Sequence, residues 1–319
     1  MSEIIMYCPL NDGHIVDSVQ TFAFETFKEI FKARGKIFNK DRPIKLRGGN
    51  NFHRLICDLP VIQIQDNDFF FFDKIVADES RKNLLNDFWI RNKMQIEKPF
   101  IPPSTLREIP FVAAAVMNLK TKWPEKHGAG KWEYEIKPED SHSQTPLNIK
   151  GYWLSKVPIA LEEDKEVSAC IDLGEDFSIR LSDINAFGKE CEFENELSLY
   201  SKVVNKRFSY FEKGPLIAPC IEEEKIVKNH LAGLYWSCDE GIYHVRINSS
   251  EALTKLKLNE KGVEARAETK ADCDILITSC VSHERSYSLK IINGLVIDIR
   301  YKNQTIFVAY IPQEYFQRK

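Results

Sequence analysis

The stretch that follows Gly262 alternates strictly between two classes of side chain, and this pattern limits what the segment can fold into. One set of positions is small or apolar: Val263, Ala265, Ala267, Thr269, Ala271, Cys273 and Ile275. The interleaved set is fully charged: Glu264, Arg266, Glu268, Lys270, Asp272 and Asp274. A period of two is typical of a β-strand with one face buried and one face in water.

The side chains of the inner face indicate more than an ordinary strand. A half-buried strand usually carries Val, Ile, Tyr or Phe on its inner face, whereas this one carries mostly Ala, Thr and Cys. Small side chains fit a position that neighbouring strands already crowd, and Gly262 provides a hinge where the segment begins. We therefore predict a segment that can exist as a loop in water and can also enter a sheet. An ordinary amphipathic edge strand is the alternative.

Length and charge restrict the classes of protein. The chain has 319 residues, 43% of them hydrophobic, with a formal charge of −3. This suits one large globular domain or two closely joined ones, and it gives no electrostatic argument for a nucleic acid or a membrane as partner. The longest apolar run, residues 109–119, is too short to span a bilayer and contains Pro110.

The sequence contains none of the motifs that identify common catalytic or cofactor sites. It has no GxSxG turn, phosphate-binding glycine loop, HExxH helix or paired Cys and His spacing. We therefore expect no enzyme activity, no cofactor and no metal. The seven histidines are scattered, and one such as His230 is expected to be structural or solvated. A Ser-His-Asp or Cys-His site assembled only in space is the alternative.

The cysteines and the first residues favour a cytoplasmic protein. Eight cysteines are spread along the chain without a CxxC pair, which is typical of free thiols in a reducing compartment. The N-terminal residues show neither the basic region nor the apolar core of a signal peptide. Two glycosylation sequons, at Asn248 and Asn303, point away from the cytoplasm. Release to the outside without a leader is the alternative location.

Hydrophobic periodicity and turn residues predict a mixture of helices and strands. Helices are expected over residues 17–35, 80–94, 192–205 and 225–234. A fully buried strand is expected over residues 109–119, and a second strand over residues 253–260. Two hairpins are predicted, one over residues 167–181 and one over residues 295–311.

Three motifs resemble the serpin family. Asn259-Glu260-Lys261-Gly262-Val263-Glu264-Ala265-Arg266-Ala267 is similar to the hinge of the serpin reactive loop. Lys120-Thr121-Lys122-Trp123 is similar to a Lys-Gly-Lys-Trp motif of the family, and Ile306-Phe307-Val308-Ala309-Tyr310-Ile311-Pro312 is similar to its closing strand. The resemblance covers residues 79–312 and a short helical stretch at 22–31, whereas residues 17–78 diverge and are shortened.

The resemblance implies an α+β fold in one domain over residues 1–319. That fold has a large mixed β-sheet, smaller β elements, packed helices and an abbreviated N-terminal helical region. It also implies that the strands over 109–119 and 253–260 lie in the large sheet. Trp123 would pack where the loop enters the sheet, beside residues 256–262.

The function that the resemblance implies is protease inhibition by an exposed reactive loop over residues 262–280. After cleavage, the loop would insert as a strand between existing strands. The hinge would comprise Glu260, Lys261, Gly262, Val263, Glu264, Ala265, Arg266 and Ala267. We expect a monomer whose target is a serine or cysteine protease.

The family's usual loop length predicts the scissile bond between Leu276 and Ile277. A loop one residue shorter would move that bond to Ile275–Leu276, and Asp274 is the competing choice. The apolar side chains at the first two positions favour chymotrypsin-like, elastase-like or cathepsin-like targets.

Two positions depart from the family and support a second interpretation. Serpins place Asn and His side chains under the part of the sheet that opens, and the matching positions here are Ala115 and Ala252. Together with the shortened N-terminal part, this favours a non-inhibitory protein of serpin fold that acts in binding or as a chaperone.

Overall fold

The computed structural model describes residues 3–38, 44–48, 70–71, 79–91, 93–98, 112–138, 145–162, 165–188, 191–238, 243–268 and 288–318. Within these ranges the fold is α+β. Its helices are α1 (Pro9–Ala33), α2 (Glu79–Arg91) and α3 (Glu196–Asn205). None of the helices in these ranges is long and apolar enough to cross a membrane.

Most of the described residues belong to β-strands. The first nine strands are β1 (Ile5–Tyr7), β2 (Lys45–Gly48), β3 (Phe70–Phe71), β4 (Ala113–Ala114), β5 (Met117–Lys122), β6 (Ala129–Ile136), β7 (Leu147–Glu162), β8 (Lys165–Gly174) and β9 (Phe177–Asp183). The remaining strands are β10 (Tyr210–Pro219), β11 (Ile221–Lys228), β12 (Leu234–Cys238), β13 (Tyr243–Arg246), β14 (Glu251–Asn259), β15 (Gly262–Glu268), β16 (Leu289–Lys290), β17 (Gly294–Tyr301) and β18 (Gln304–Pro312).

The strands form one large mixed sheet and three smaller ones. The large sheet has nine strands in the order β1-β18-β17-β9-β8-β7-β10-β16, with β6 also paired to β7. Its pairs are antiparallel except for β10 and β16, which are parallel. A four-stranded sheet has the order β11-β14-β15-β5, a three-stranded sheet has the order β13-β12-β2, and β3 pairs with β4.

Two buried clusters of apolar side chains hold these layers together. The first lies between the nine-stranded sheet and the four-stranded sheet, where Tyr152 and Leu154 pack with Leu256 and Val263. The second joins α1 and α3 to the nine-stranded sheet and to the three-stranded sheet. The four-stranded sheet is therefore covered on one face by the large sheet, and its other face carries the charged residues described below.

Both predicted hairpins are confirmed, as β8–β9 and β17–β18. Glu175 and Asp176 in the first turn, and Lys302 and Asn303 in the second, all have positive φ values between 46° and 68°. Two consecutive residues of this kind make the turn whose twist matches that of the flanking strands.

Helix α1 begins earlier than predicted. The sequence favoured a start at Asp17 or Ser18, but the helix runs from Pro9. Proline is well suited to the first helical position because its missing N–H would have no intrahelical partner there. The early start carries Asp12 into the interior, where it pairs with His230.

The helix predicted over residues 225–234 is wrong. Residues 221–228 form strand β11, which pairs along its whole length with β14. The Glu-rich and Lys-rich composition favours a helix locally, but cross-strand pairing overrides such a weak preference.

The strand predicted over residues 109–119 also differs from the structure. Its described part divides into β4 and β5, and β5 continues to Lys122. The expectation that this strand and residues 253–260 lie in the largest sheet is wrong, because β5 and β14 belong to the four-stranded sheet. Length and hydrophobicity identified the strands but carried no information about their partners.

A buried ion pair ties helix α3 to the centre of the large sheet. Arg180 and Asp298 approach to 2.7 Å, and their side chains are 6% and 1% exposed. Asp298 also accepts from Thr305, and Arg180 donates to the carbonyl of Val203 in α3. Both charged side chains of the pair therefore form further hydrogen bonds.

We predict that Asp298→Asn lowers the free energy of unfolding by about 3–5 kcal/mol, because it leaves the guanidinium of Arg180 buried without a counter-charge. Chemical denaturation measures the change. Glu162→Gln, which removes a half-exposed pair with Lys206, is the matched control and should cost less than about 1 kcal/mol. Equal effects of the two substitutions would contradict this account.

Candidate functional site

Strand β15 lies between β14 and β5 in the four-stranded sheet. It is antiparallel to both, with Gly262 to Glu268 paired to β14 and Gly262 to Ala267 paired to β5. The expectation of an exposed loop over residues 262–280 is therefore wrong for residues 262–268. These residues form a central strand because their alternation satisfies both requirements of that position, a buried face and hydrogen bonds on two edges.

The small side chains of β15 face the buried cluster. Val263 and Ala265 are fully buried, and they pair in register with Leu258 and Leu256 of β14. On the other side Ala265 pairs with Leu119 of β5. A small residue is needed here because the interior is packed at the density of an organic crystal and has no room for extra methylene groups.

The outer face of the sheet carries a row of four charges that alternate in sign across the strands. In register order the row is Glu222, Lys257, Glu264 and Lys120. Lys257 approaches Glu222 to 2.7 Å, and Lys120 approaches Glu264 to 2.6 Å. The hydrogen bond that Lys257 donates to Glu222, with the charges of Glu222 and Glu264, raises the pKa of Lys257. We call these four residues the charged row.

The turn before β15 fits closely against β5. The side-chain oxygen of Asn259 accepts a hydrogen bond from the backbone N–H of Lys261 at 2.8 Å. Gly262 has φ of +148°, and a Cβ atom there would lie 2.0 Å from the carbonyl oxygen of Thr121. No larger residue fits without moving the strand. Glu260 lies 4.0 Å from the ammonium of Lys131.

Trp123 connects the end of β5 to this turn. Its side chain is buried, and its indole N–H donates to the carbonyl of Asn259 at 2.7 Å. Its ring stacks on Tyr152 of the large sheet, with centroids 5.6 Å apart. The structure thus places Trp123 beside residues 256–262, where the sequence motif located it.

The other predicted site residues are placed only in part. Arg266 and Ala267 pair through the backbone with Asn118 and Met117 of β5. The predicted scissile bond between Leu276 and Ile277 lies outside the described residues.

A polar cluster that the sequence did not predict lies near the opposite end of β14. His230 Nε2 lies 3.0 Å from Asp12 Oδ1, and both side chains are more than nine-tenths buried. His230 Nδ1 lies 3.3 Å from the hydroxyl of Ser250. Asp12, His230 and Ala252 line a cavity of about 20 Å³. No sequence pattern indicates this cluster, because its members come from α1, the β11–β12 connection and the start of β14.

The order Asp12, His230, Ser250 is similar to a catalytic triad, but Ser250 does not line the cavity beside Asp12 and His230. The hydroxyl of Ser250 already accepts from the backbone N–H of Leu231 at 2.9 Å. A cavity of about 20 Å³ holds about one water molecule and no peptide. We therefore interpret the cluster as a structural contact between α1 and the four-stranded sheet.

Two of the described cysteines, Cys170 and Cys220, are also unsuited to nucleophilic chemistry. Cys8, Cys170, Cys191, Cys220 and Cys238 are free thiols. Burial, reinforced by the charge of Glu260, raises the pKa of Cys220 near the β14–β15 turn to about 11. Burial likewise raises the pKa of Cys170 to about 11. Both thiols therefore stay protonated at neutral pH, and the thiolate is the reactive form.

This chain is similar to known proteins in structure and not in sequence. No family model matches the sequence, and no curated protein has a significantly similar sequence. Two solved structures of cleaved Serpin 42Da superpose with TM-scores of 0.51 and 0.50, at 12% and 11% identity. The match covers 97% of this chain in both cases, and 90% and 91% of the other chain. The chain has the serpin fold.

Serpin48 of the insect Tenebrio molitor gives a TM-score of 0.45 at 10% identity, over 98% of this chain and 92% of its own. Identity this low carries the fold and not the activity. The α+β architecture with a large mixed sheet that the three sequence motifs implied is thus confirmed.

We predict that Ala265→Glu disrupts the serpin-fold sheet at β15. A carboxylate buried without a partner costs several kcal/mol, so either the free energy of unfolding falls or β15 leaves the sheet. Urea denaturation measures the first effect, and limited proteolysis of the folded variant measures the second.

Glu264→Gln is the matched control on the adjacent, exposed position. It removes one member of the charged row and should cost no more than about 1 kcal/mol. An Ala265→Glu protein that is as stable and as protease-resistant as the wild type would mean that β15 does not occupy the sheet.

The contact between His230 and Asp12 predicts a pH-dependent stability. Burial disfavours the charged imidazole, but the charge and hydrogen bond of Asp12 and the charge of Glu196 outweigh it, so the pKa of His230 is raised. The stabilisation that a raised histidine pKa gives the folded protein is fully present at pH values below the pKa of the unfolded state, about 6.5. That stabilisation disappears as the pH rises through the pKa of His230 in the folded state.

The free energy of unfolding of the wild type, minus that of His230→Gln, should therefore be larger at pH 5.5 than at pH 8.5. Denaturation at several pH values measures this difference. His244→Gln, at an exposed position, is the control. A difference that increases with pH would show that burial outweighs the contact with Asp12.

Proposed function

We propose that the protein inhibits proteases in the manner of serpins, with the segment after β15 as the cleaved bait. The observation that carries this proposal is that residues 262–268 occupy a central position between β14 and β5. Insertion of a strand between two strands is the most demanding step of that mechanism, and these residues have the side chains and the turn that it requires.

The contacts around the turn support the same proposal. Gly262 allows close approach to β5, and Trp123 holds the carbonyl of Asn259 at the point where the strand enters. Two solved structures that superpose with TM-scores of 0.51 and 0.50 are of a cleaved serpin. We propose Leu276–Ile277 as the cleaved bond, and chymotrypsin-like, elastase-like or cathepsin-like enzymes as targets.

A second candidate function is binding without inhibition, and one observation favours it. Residue Glu268 already pairs with Leu253, and β14 begins at Glu251. Few positions of β14 therefore remain for further insertion. A protease trap needs a large gain of pairing after cleavage, whereas a binding protein does not.

Incubation of the intact chain with chymotrypsin, elastase and a cathepsin-type cysteine protease, with trypsin as a negative control, tests the proposal. We expect a covalent complex with one of the first three that survives denaturant, together with a released C-terminal peptide that begins at Ile277. Electrophoresis detects the complex and mass spectrometry locates the bond. Cleavage without any complex would favour the second candidate.

The folded fraction of the Ala265→Glu variant tests strand insertion separately from recognition of the bait by the protease. This variant keeps the proposed bait but places a charge on the inserted face, so it should be cleaved at the same bond without forming the complex. Glu264→Gln should still form it. A complex with both variants would contradict trapping by insertion of β15.

A further inference from the structure

The outer face of the three-stranded sheet brings several basic residues together around a tyrosine. Tyr235 of β12 pairs in register with Arg47 of β2 and with Arg246 of β13. One step along the strands, Ser237 pairs with Lys45 and with His244. We call Lys45, Arg47, Tyr235, His244 and Arg246 the basic face.

The alternation of these strands fixes the orientation of the basic face. Trp236, between Tyr235 and Ser237, is fully buried in the cluster that contains α1. Its register partners Leu46 and Val245 pack in the same cluster. The side chains of Lys45, Arg47, His244 and Arg246 are consequently exposed.

The positive charge of this face has no counter-charge among the residues that the structure describes. Arg246 donates to the neutral side chain of Asn248 at 2.8 Å. Lys45 and Arg47 form no ion pair within the described ranges. The carboxylates of the β12–β13 connection, Asp239 and Glu240, lie outside those ranges. An exposed group of three permanent cations in a chain of net charge −3 favours an anionic partner.

Tyr235 gives this face a flat aromatic surface between two arginines. A Cβ atom on Gly48, whose φ is +79°, would lie 2.7 Å from the Tyr235 ring, so the ring covers the glycine. The ring of His244 lies edge-on to it, with centroids 6.2 Å apart. Arg47 and Arg246 flank the tyrosine on strands about 4.8 Å to either side.

We propose that the basic face binds a short single-stranded nucleic acid. One base would stack on Tyr235, and the adjoining phosphates would pair with Arg47, Arg246 and Lys45. Aromatic rings on a sheet with flanking cations are the usual means of binding single strands. A sulfated glycan or an acidic peptide offers the charge but no base to stack on the ring. This proposal is independent of protease inhibition.

The expectation of no nucleic-acid partner rested on the net charge of the whole chain. Net charge averages over the surface and does not report where the cations lie. The register of β2, β12 and β13 brings together residues that are nearly 200 positions apart in sequence.

Fluorescence anisotropy with a labelled twelve-nucleotide single-stranded DNA tests the proposal on the full chain. With three phosphate contacts, the logarithm of the association constant should fall against the logarithm of salt concentration with a slope of about −2. Arg47→Gln should reduce the magnitude of that slope by about 0.7. Lys213→Gln, at an exposed position of β10, is the control and should leave the slope unchanged.

Substitution of Tyr235 tests the stacking step separately from charge. Tyr235→Leu should weaken binding about 5- to 150-fold, and Tyr235→Phe, which keeps the ring, should retain the affinity. Circular dichroism and thermal melting of each variant establish that it is folded. If Tyr235→Leu does not fold, the double variant Arg47→Gln and Arg246→Gln takes its place in the assay. This double variant should abolish binding.

Competition assays distinguish the other anionic partners. Equal affinity for a duplex of the same sequence, or displacement by heparin with no effect of Tyr235→Leu, would overturn base stacking in favour of a general polyanion surface. Absence of binding at 50 mM salt would overturn the proposal completely. Binding that depends on both Tyr235 and Arg47 supports it.

Discussion

The backbone pairing of β15 with both β14 and β5 is the interaction on which this part of the fold depends. Without β15, the facing edges of β14 and β5 would present unpaired N–H and C=O groups, and each such group buried without a partner is costly. The pairing also explains the neighbouring features. Gly262 lets the chain turn against the carbonyl of Thr121, and Trp123 fixes the carbonyl of Asn259. Val263 and Ala265 close the buried cluster against the large sheet.

A buried polar contact joins helix α1 to the four-stranded sheet. Ala252 stands where the resemblance to serpins implies a histidine, and it lines the cavity beside Asp12 and His230. A histidine is therefore present at this place, but it comes from the connection after β11 and pairs with helix α1. Its hydrogen bonds attach α1 to the start of β14.

Local patterns in the sequence predicted the elements better than their partners. The alternation after Gly262 predicted a strand with Val263 and Ala265 on its inner face, and turn residues predicted both hairpins, because each of these signals lies within a short stretch of chain. The helix predicted over residues 225–234 failed because strand pairing with β14 overrides local propensity. The contact between Asp12 and His230 joins residues 218 positions apart, and no local pattern reports it. Identification of the fold needed the motifs at 120–123 and 259–267 taken together, since either one alone matches many strands.

The charged row and the backbone ladder contribute unequally to the position of β15. Because β15 is antiparallel to both neighbours, β14 and β5 are parallel to each other, and Lys257 and Lys120 lie on the same row of the outer face. Glu264 separates these two lysines, so departure of β15 would leave like charges on strands that could then approach. Exposed pairs of this kind are worth about 0–1 kcal/mol each, whereas every backbone hydrogen bond of the ladder contributes about 0.5–1.5 kcal/mol. The ladder therefore determines that β15 occupies the sheet. The charged row favours one register, because a shift by one residue would move Glu264 to the buried face.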